Sequence, residues 1–530
     1  MRFLLTTAAI LFPAIAQADY TLHILHTNDL HSRIEPINEF DSTCSAEEAA
    51  ENKCFGGMAR MKTAINTLRD QIRSEGGNVI VLDAGDQFQG SLYYSTYKGA
   101  LVAELMNDIG FDAMAVGNHE FDDGPAELAA FADLLDAPLV SGNLDLSRSN
   151  LLAGKVQNHV VLEVAGEKIG IISALATDTV ESSSPGPDVL FQDEIESLRA
   201  DVQTLTDEGV TKIVTLTHVG FPLDQIIAGD VQGLDAVVGG HSHTLMLAQP
   251  EEGQAQYPTL IAQGDGTMVP VVTAYSYSKY LGHLILTFDD AGKVTDIEGA
   301  PILLDASVVP DGPMAARIAE LGGPIEELKN RVVAEAVAAI DGARESCRAV
   351  ECQMGNLVAE AMLARVADQG VTIALANGGG LRASIDAGPV TMGEVLTVLP
   401  FQNTLATFEV DGAGVIAALE NGVSLVEEGA GRFLQVAGLK YTFDPALPAG
   451  ARVSDVMVLV GGDAWAPIDP AAVYLAVTNN YVRNGGDGFA SFKTAAKAYD
   501  FGPDLADVVA EYMVGVGPYT PFTDGRITRK

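Results

Sequence analysis

Five short polar blocks, each closing a strand-length apolar run, restrict this chain more than any other feature: Asp29-Leu30-His31, Gly85-Asp86, Gly117-Asn118-His119-Glu120, Thr217-His218 and Gly240-His241-Ser242-His243. The runs before them are Tyr20 to Leu25, Asn78 to Leu82, Ala113 to Val116, Lys212 to Leu216 and Ala236 to Val238. Their length and aliphatic, β-branched content predict strands. Side chains at strand ends can converge on one edge of a sheet however far apart they lie in sequence, so the pattern predicts a β-containing fold that brings all five blocks together. Five of the nine histidines sit in these blocks.

The residue types define the chemistry. Aspartate, asparagine and histidine without thiolate suit Zn²⁺, Mn²⁺ or a similar divalent ion. Two such ions a few ångströms apart need a bridging carboxylate, neutral imidazoles and an open position for a water whose pKa falls toward about 7. Asp86 is the natural bridge. His119, beside Asn118, can reach a phosphate, and Asp122 three residues on can hold its ring in one tautomer and keep it protonated. Asp122 reads equally well as a helix-start cap in Asp122-Asp123-Gly124-Pro125. His23, His26, His159 and His283 stand in or beside strand-like segments and read as structural, with His26 a candidate donor behind the ligands.

Compartment and domain organisation follow from the termini, cysteines and length. Met1 to Ala18 carries one basic residue, Arg2, an apolar stretch from Phe3 to Ile15 and the small-x-small sequence Ala16-Gln17-Ala18. It reads as a signal peptide cleaved near Ala18, too short for the roughly 20 residues of a spanning helix. The chain is therefore expected in the periplasm or outside the cell, without a stable membrane anchor. Four cysteines form two close couples, Cys44 with Cys54 and Cys347 with Cys352. Local disulfides suit an oxidising compartment; a zinc site is the competing reading, although neither couple has Cys-x-x-Cys spacing. A net charge of −40 repels nucleic acid and speaks to solubility, in a saline setting for example, and not to fold. No pattern specifies an oligomeric state. Length implies at least two domains. We place a catalytic domain at 19–311, a linker helix or hinge at 312–330, where a helix-favouring stretch is interrupted by Gly322-Gly323-Pro324, and a second domain at 331–530.

The second domain holds two glycine-rich loops. Asn377-Gly378-Gly379-Gly380-Leu381-Arg382 follows the apolar run Val371 to Ala376 and can bring backbone N–H groups and a guanidinium to an anion. Asn484-Gly485-Gly486-Asp487-Gly488-Phe489 is the other. With His26-Thr27-Asn28-Asp29-Leu30-His31 and Gly117-Asn118-His119-Glu120-Phe121-Asp122, these loops resemble the 5′-nucleotidase family, whose amino-terminal domain is a calcineurin-like metallophosphoesterase. The resemblance spans nearly the whole chain beyond the leader. It implies an α/β (α+β) architecture: an amino-terminal β-sandwich flanked by helices and a mixed α/β carboxy-terminal domain.

Carried over residue by residue, the resemblance implies one metal held by Asp29, His31, Asp86 and His243 and another by Asp86, Asn118, His218 and His241, with His119 and Asp122 catalytic. Zinc is the first expectation, manganese or cobalt the alternatives. Arg348, Asn377 and Arg382 would hold the phosphate and sugar region of a nucleotide, Phe401 and Tyr481 would clamp its base, and Asp487 would bind ribose hydroxyls. Tyr481 stands where the family resemblance points to phenylalanine. Arg348 lies between Cys347 and Cys352, so a disulfide there would fix its loop. The implied activity is hydrolysis of nucleoside 5′-monophosphates. Alternatives on the same fold are a UDP-sugar or nucleotide diphosphatase and a 2′,3′-cyclic nucleotide phosphodiesterase. A protein that binds nucleotides without cleaving them is the remoter one.

Overall fold

The five predicted runs form five strands: β1 (Tyr20–Thr27), β2 (Asn78–Asp83), β3 (Ala113–Ala115), β4 (Lys212–His218) and β5 (Ala236–Gly239). The structure is a computed structural model that describes residues 19–530 except 39–40, 42–43, 45, 178, 252–253, 402, 462–463 and 501, with backbone alone at 181–182. The leader expected over Met1 to Ala18 lies outside the described residues.

Alternation of side chains along these strands builds a sandwich. One sheet has the order Val294–Leu303, Tyr280–Phe288, β1, β2, β3, Leu139–Val140, Val156–Gln157; the other runs Thr259–Ala262, Met268–Val272, β5, β4, Glu167–Leu175, His159–Val164. Leu22, Ile24, Ile80 and Leu82 from the first meet Val214, Leu216 and Val238 from the second in a fully buried interlayer. Leu25, Val79 and Val81 face the other way, onto the helical segments Met58–Ser74 and Leu92–Ile109. Helices Glu194–Asp207 and Phe221–Asp230 cover the outer face of the second sheet. The parallel registers set Thr27 opposite Asp83 and Thr217 opposite Gly239. All five strands therefore end at the same edge, and the loops leaving them carry the polar blocks.

Helix Gly312–Lys329 follows, capped by Asp311, whose carboxylate accepts from the Met314 N–H at 2.9 Å. It is not interrupted at Gly322-Gly323-Pro324 as the composition suggests. Pro324 leaves the Glu320 carbonyl without its usual donor, yet Tyr93 and Tyr97 donate to the nearby carbonyls of Ile318 (3.3 Å) and Leu321 (2.8 Å). Buried Met314, Ile318 and Ile325 join the same core as Tyr93 and Leu101. Packing and two tyrosine hydroxyls thus outweigh the helix-breaking residues. Beyond it, Val332–Ala336 is a strand paired with Gly388–Thr391.

The second half is mixed α/β. Its five-stranded sheet has the order Leu434–Ala437, Ile373–Asn377, Val473–Asn479, Leu405–Asp411, Ala496–Tyr499, and a four-stranded sheet contains Val453–Gly461 and Leu439–Phe443. Helices Gln353–Val366 and Leu505–Val516 pack on one face and Gly412–Val423 on the other. The structure pairs Cys44 with Cys54 and Cys347 with Cys352, which removes the cysteine zinc site from consideration. No described helix is long and apolar enough to cross a membrane.

Candidate active site

The loops at the shared sheet edge are held in tight, unusual backbone conformations. Asp29, His31, Asp86, His241 and His243 all have positive φ, between 46° and 80°, a region that costs a non-glycine residue about 1–2 kcal/mol. Glycine allows the loops to touch. A Cβ at Gly117 would collide with the Asp86 carboxylate and with Glu120.

Glu120 binds two of the loops together. Its carboxylate, fully buried, accepts from the N–H groups of Gly117 (2.7 Å), Asp86 (2.9 Å), Gln87 (2.8 Å) and Phe88 (3.1 Å). Burial, then the charge of Asp86, pushes it up to about 7. Asn28 does the same for Asp29: its amide donates to the Asp29 carboxylate at 2.6 Å and its carbonyl oxygen accepts from the Ala274 N–H at 2.7 Å. His26, the candidate for a supporting donor, bonds the Tyr257 hydroxyl at 2.8 Å instead. Its place in the interlayer turns it away from the loops.

The donor atoms converge in overlapping groups. Asp29, His31 and His243 form one, and Asp86, His218 and His241 another, each with ligand atoms within 4.8 Å of one another; His31, Asp86 and His119 form a third between them. His31 Nε2 lies 3.0 Å from His243 Nε2, and His243 Nε2 lies 3.3 Å from Asp29 Oδ1. On the other side His218 Nε2 lies 3.0 Å from Asp86 Oδ2, while Asn118 Oδ1 is 2.8 Å from His241 Nδ1 and 3.2 Å from His218 Nε2. Asp86 stands between the groups, with its Oδ2 also 3.8 Å from His31 Nε2.

These residues fit a pair of cations. Nitrogens about 3 Å apart cannot both be protonated, but both can ligate one ion at the roughly 2.1 Å typical of imidazole. Burial holds His31 well below the usual histidine range, so its ring is a neutral donor. At His218 burial is outweighed by Asp86 and Asp29, which draw a proton and push the ring up to about 10. The same carboxylate field would hold a cation in the proton's place. His218 Nδ1 is 2.6 Å from the Ala84 carbonyl, which leaves Nε2 for a ligand bond.

His119 and Asp122 lie beside this cluster in one short helical turn, His119–Phe121, and its end. The His119 N–H donates to Asp86 Oδ1 at 2.9 Å, and its Nδ1 is 2.6 Å from Asp122 Oδ2. Burial opposes a charge on the ring, but Asp122 and Asp86 outweigh it and push His119 up to about 10. Asp123, and not Asp122, occupies the cap position of the next helix, Gly124–Leu134, without a side-chain capping bond.

The second group of candidates gathers at the carboxyl ends of the second-half strands. Asn377, the last residue of its strand, donates from Nδ2 to Asp487 Oδ2 at 2.8 Å. The Tyr481 hydroxyl is 3.1 Å from Asp487 Oδ1. Arg348 follows the short helix Arg344–Cys347 and donates to the Gly429 carbonyl at 3.4 Å; burial, then Arg344 and Arg382, lowers it, while Asp487 draws it up. The Arg382 guanidinium carbon stands 5.5 Å from the centre of the Phe401 ring. Sequence reasoning gave no part to Asn479, which donates to Asn377 Oδ1 at 2.8 Å, or to Tyr277, whose ring packs 5.6 Å from His31 and 5.2 Å from His243. An asparagine pair at adjacent strand ends could have flagged the first; Tyr277 lies in a loop with no motif.

Comparison with known proteins agrees with this geometry. Residues 22–245 match the model of the calcineurin-like phosphoesterases, and residues 331–494 that of the 5′-nucleotidase carboxy-terminal domain. The chain is 37% identical to a 5′-nucleotidase of Diplobatis ommata over 96% of its own length and 90% of the relative's. It is 36% identical to a human 5′-nucleotidase over 99% and 93%. Among solved structures, a 5′-nucleotidase precursor from Thermus thermophilus superposes with a TM-score of 0.66 at 39% identity, covering 96% of this chain and 99% of that one.

Proposed function

The chain belongs to the 5′-nucleotidase family, and from that premise we propose that it is an exported two-metal enzyme hydrolysing nucleoside 5′-monophosphates to nucleoside and phosphate. The observation that carries this reading is the convergence of Asp29, His31, Asp86, His218, His241 and His243 in overlapping ligand-competent groups beside the His119–Asp122 pair. Asp29, His31, Asp86 and His243 would hold one cation and Asp86, Asn118, His218 and His241 the other, zinc first and manganese or cobalt in its place. When bound, the two ions would supply positive charge to the phosphoryl oxygens and make a water acidic enough to act near neutral pH.

The chain's own groups do the rest. Asp122 accepts from His119 Nδ1, which leaves Nε2 to donate to the phosphate or to the departing ribose oxygen. With Asp86 committed to cations, Asp122 is the group that keeps the ring charged. In the second domain, Arg348, Asn377 and Arg382 would hold the phosphate and sugar region, Phe401 and Tyr481 the base, and Asp487 the ribose. We assign residues 19–311 to catalysis, 312–330 to a connecting helix that works as a hinge, and 331–530 to nucleoside binding. The two disulfides accord with an oxidising compartment, and cleavage near Ala18 would deliver the chain to the periplasm or beyond.

Phosphate release from AMP, UDP-glucose, a 2′,3′-cyclic nucleotide and ATP, each with and without chelator, tests the proposal. AMP should be cleaved best, chelator should abolish turnover, and added zinc or manganese should restore it. Turnover on AMP that is indifferent to chelator, or none on any of the four, overturns it.

A further inference from the structure

Tyr481 is more than one wall of a clamp. Its ring lies flat against Gly486, where a Cβ would come within 2.5 Å of Cζ. The residue is 47% exposed, which leaves ring surface available for stacking. Its hydroxyl is bound twice to one residue. It lies 3.1 Å from Asp487 Oδ1 and accepts from the Asp487 N–H, also at 3.1 Å.

Asp487 needs such support. Its backbone has φ 53° and ψ 20°, a left-handed conformation between two glycines. Its other carboxylate oxygen accepts from Asn377 Nδ2 at 2.8 Å, and Asn377 Oδ1 accepts from Asn479 Nδ2 at 2.8 Å. Asn479 also caps the short helix that carries Tyr481, accepting from the Val482 N–H at 2.8 Å. The hydrogen bonds therefore form a closed circuit: Asn479 to Asn377, Asn377 to Asp487, Asp487 to Tyr481, and Tyr481 back through its helix to Asn479. Phenylalanine at 481 would keep the ring and open the circuit at the carboxylate.

We propose that the Tyr481 hydroxyl is a specificity-determining positioning group, which fixes the Asp487 carboxylate so that it reads the vicinal 2′- and 3′-hydroxyls of a ribose. A carboxylate offers about four lone-pair sites. Asn377 and Tyr481 take one on each oxygen, which pins the plane and leaves one on each oxygen for a diol. Base stacking and sugar reading thereby share one side chain. This inference rests on the reading of the second domain as the nucleoside site.

The test compares kcat/KM for AMP and for 2′,3′-dideoxy-AMP in the metal-loaded wild type, Tyr481→Phe, Asp487→Ala and the double variant. The wild type should prefer AMP. Tyr481→Phe should cut that preference by about fivefold, mainly through a higher KM for AMP. In the Asp487→Ala background the second substitution should change the preference no further. Equal losses on both nucleotides in Tyr481→Phe would make the hydroxyl a structural brace and overturn the inference, as would an added loss of preference in the double variant. A wild type that cleaves neither nucleotide, or both equally well, would overturn the underlying reading and this inference with it.

Discussion

Asp122 grips His119 from one side and is itself gripped from the other: its Oδ2 is 2.6 Å from His119 Nδ1 while its Oδ1 accepts from the Ser183 hydroxyl at 2.9 Å. The carboxylate is thereby fixed in the plane that orients the imidazole. Asp122→Asn should lower kcat by about 10- to 100-fold, the usual effect of losing such a support, while KM and bound metal change little. Turnover and metal content, measured on the same samples, check this. Unaltered kcat would remove Asp122 from the reaction.

Asp86 belongs to the group with His218 and His241 and to the one with His31 and His119 that joins it to the other side of the site. Asp86→Asn should therefore lose metal and activity together, whereas His119→Ala should keep its metal and lose mainly turnover. Elemental analysis of the purified variants separates the two. Full metal content in Asp86→Asn would contradict a bridging role.

Each disulfide closes a short loop, of sequence separation 10 for Cys44–Cys54 and 5 for Cys347–Cys352. Removing either should cost about 1–3 kcal/mol, and the longer loop should cost more. The smaller loss should nonetheless have the larger kinetic effect, because Arg348 lies inside the Cys347–Cys352 loop. Thermal melts and KM for AMP, measured on paired Cys→Ala variants, should show these opposite rankings.

Histidines away from the candidate metal loops predict the acid response. His23 Nδ1 lies 3.0 Å from His283 Nε2 across β1 and its neighbour. Burial, then the facing His23, lowers His283 to about 4. The unfolded chain takes up that proton first, at about 6.5, so this contribution to stability is fully present above pH 6.5 and is lost as pH falls toward 4. His283→Gln should shrink the drop in stability between pH 7 and pH 5 by about 1 kcal/mol, a figure reduced for partial exposure. Chemical denaturation at both pH values checks it; an unchanged drop would place the acid sensitivity elsewhere.

Much of this is legible in the primary structure because strand-forming runs and candidate ligands occur next to each other. Ala236 to Val238 followed by Gly240-His241-Ser242-His243 needs no long-range information: the run ends, glycine turns the chain, and the histidines have nowhere else to go. The supports behind the candidate ligands are harder to read. Glu120 sits inside a recognised block, but its task depends on Asp86, Gln87 and Phe88, more than thirty residues earlier in the chain. His26 keeps the structural part its strand position implies, and only its candidacy as a donor behind Asp29 falls away, because the interlayer, with Tyr257, claims its side chain. The helix through Gly322-Gly323-Pro324 is obscured for the same reason, since two tyrosines from a distant segment supply what local propensity lacks.

The left-handed backbones of Asp29, His31, Asp86, His241 and His243 change what a scanning experiment on this site would mean. Truncating such a residue to alanine removes the candidate ligand and keeps the unfavourable φ, whereas glycine removes both. The two scans should diverge by roughly 1 kcal/mol per position in folding stability while agreeing on lost activity. Glycine at these positions would therefore relieve the backbone while discarding the candidate ligands, so folding stability and activity need not fall in step across such a scan.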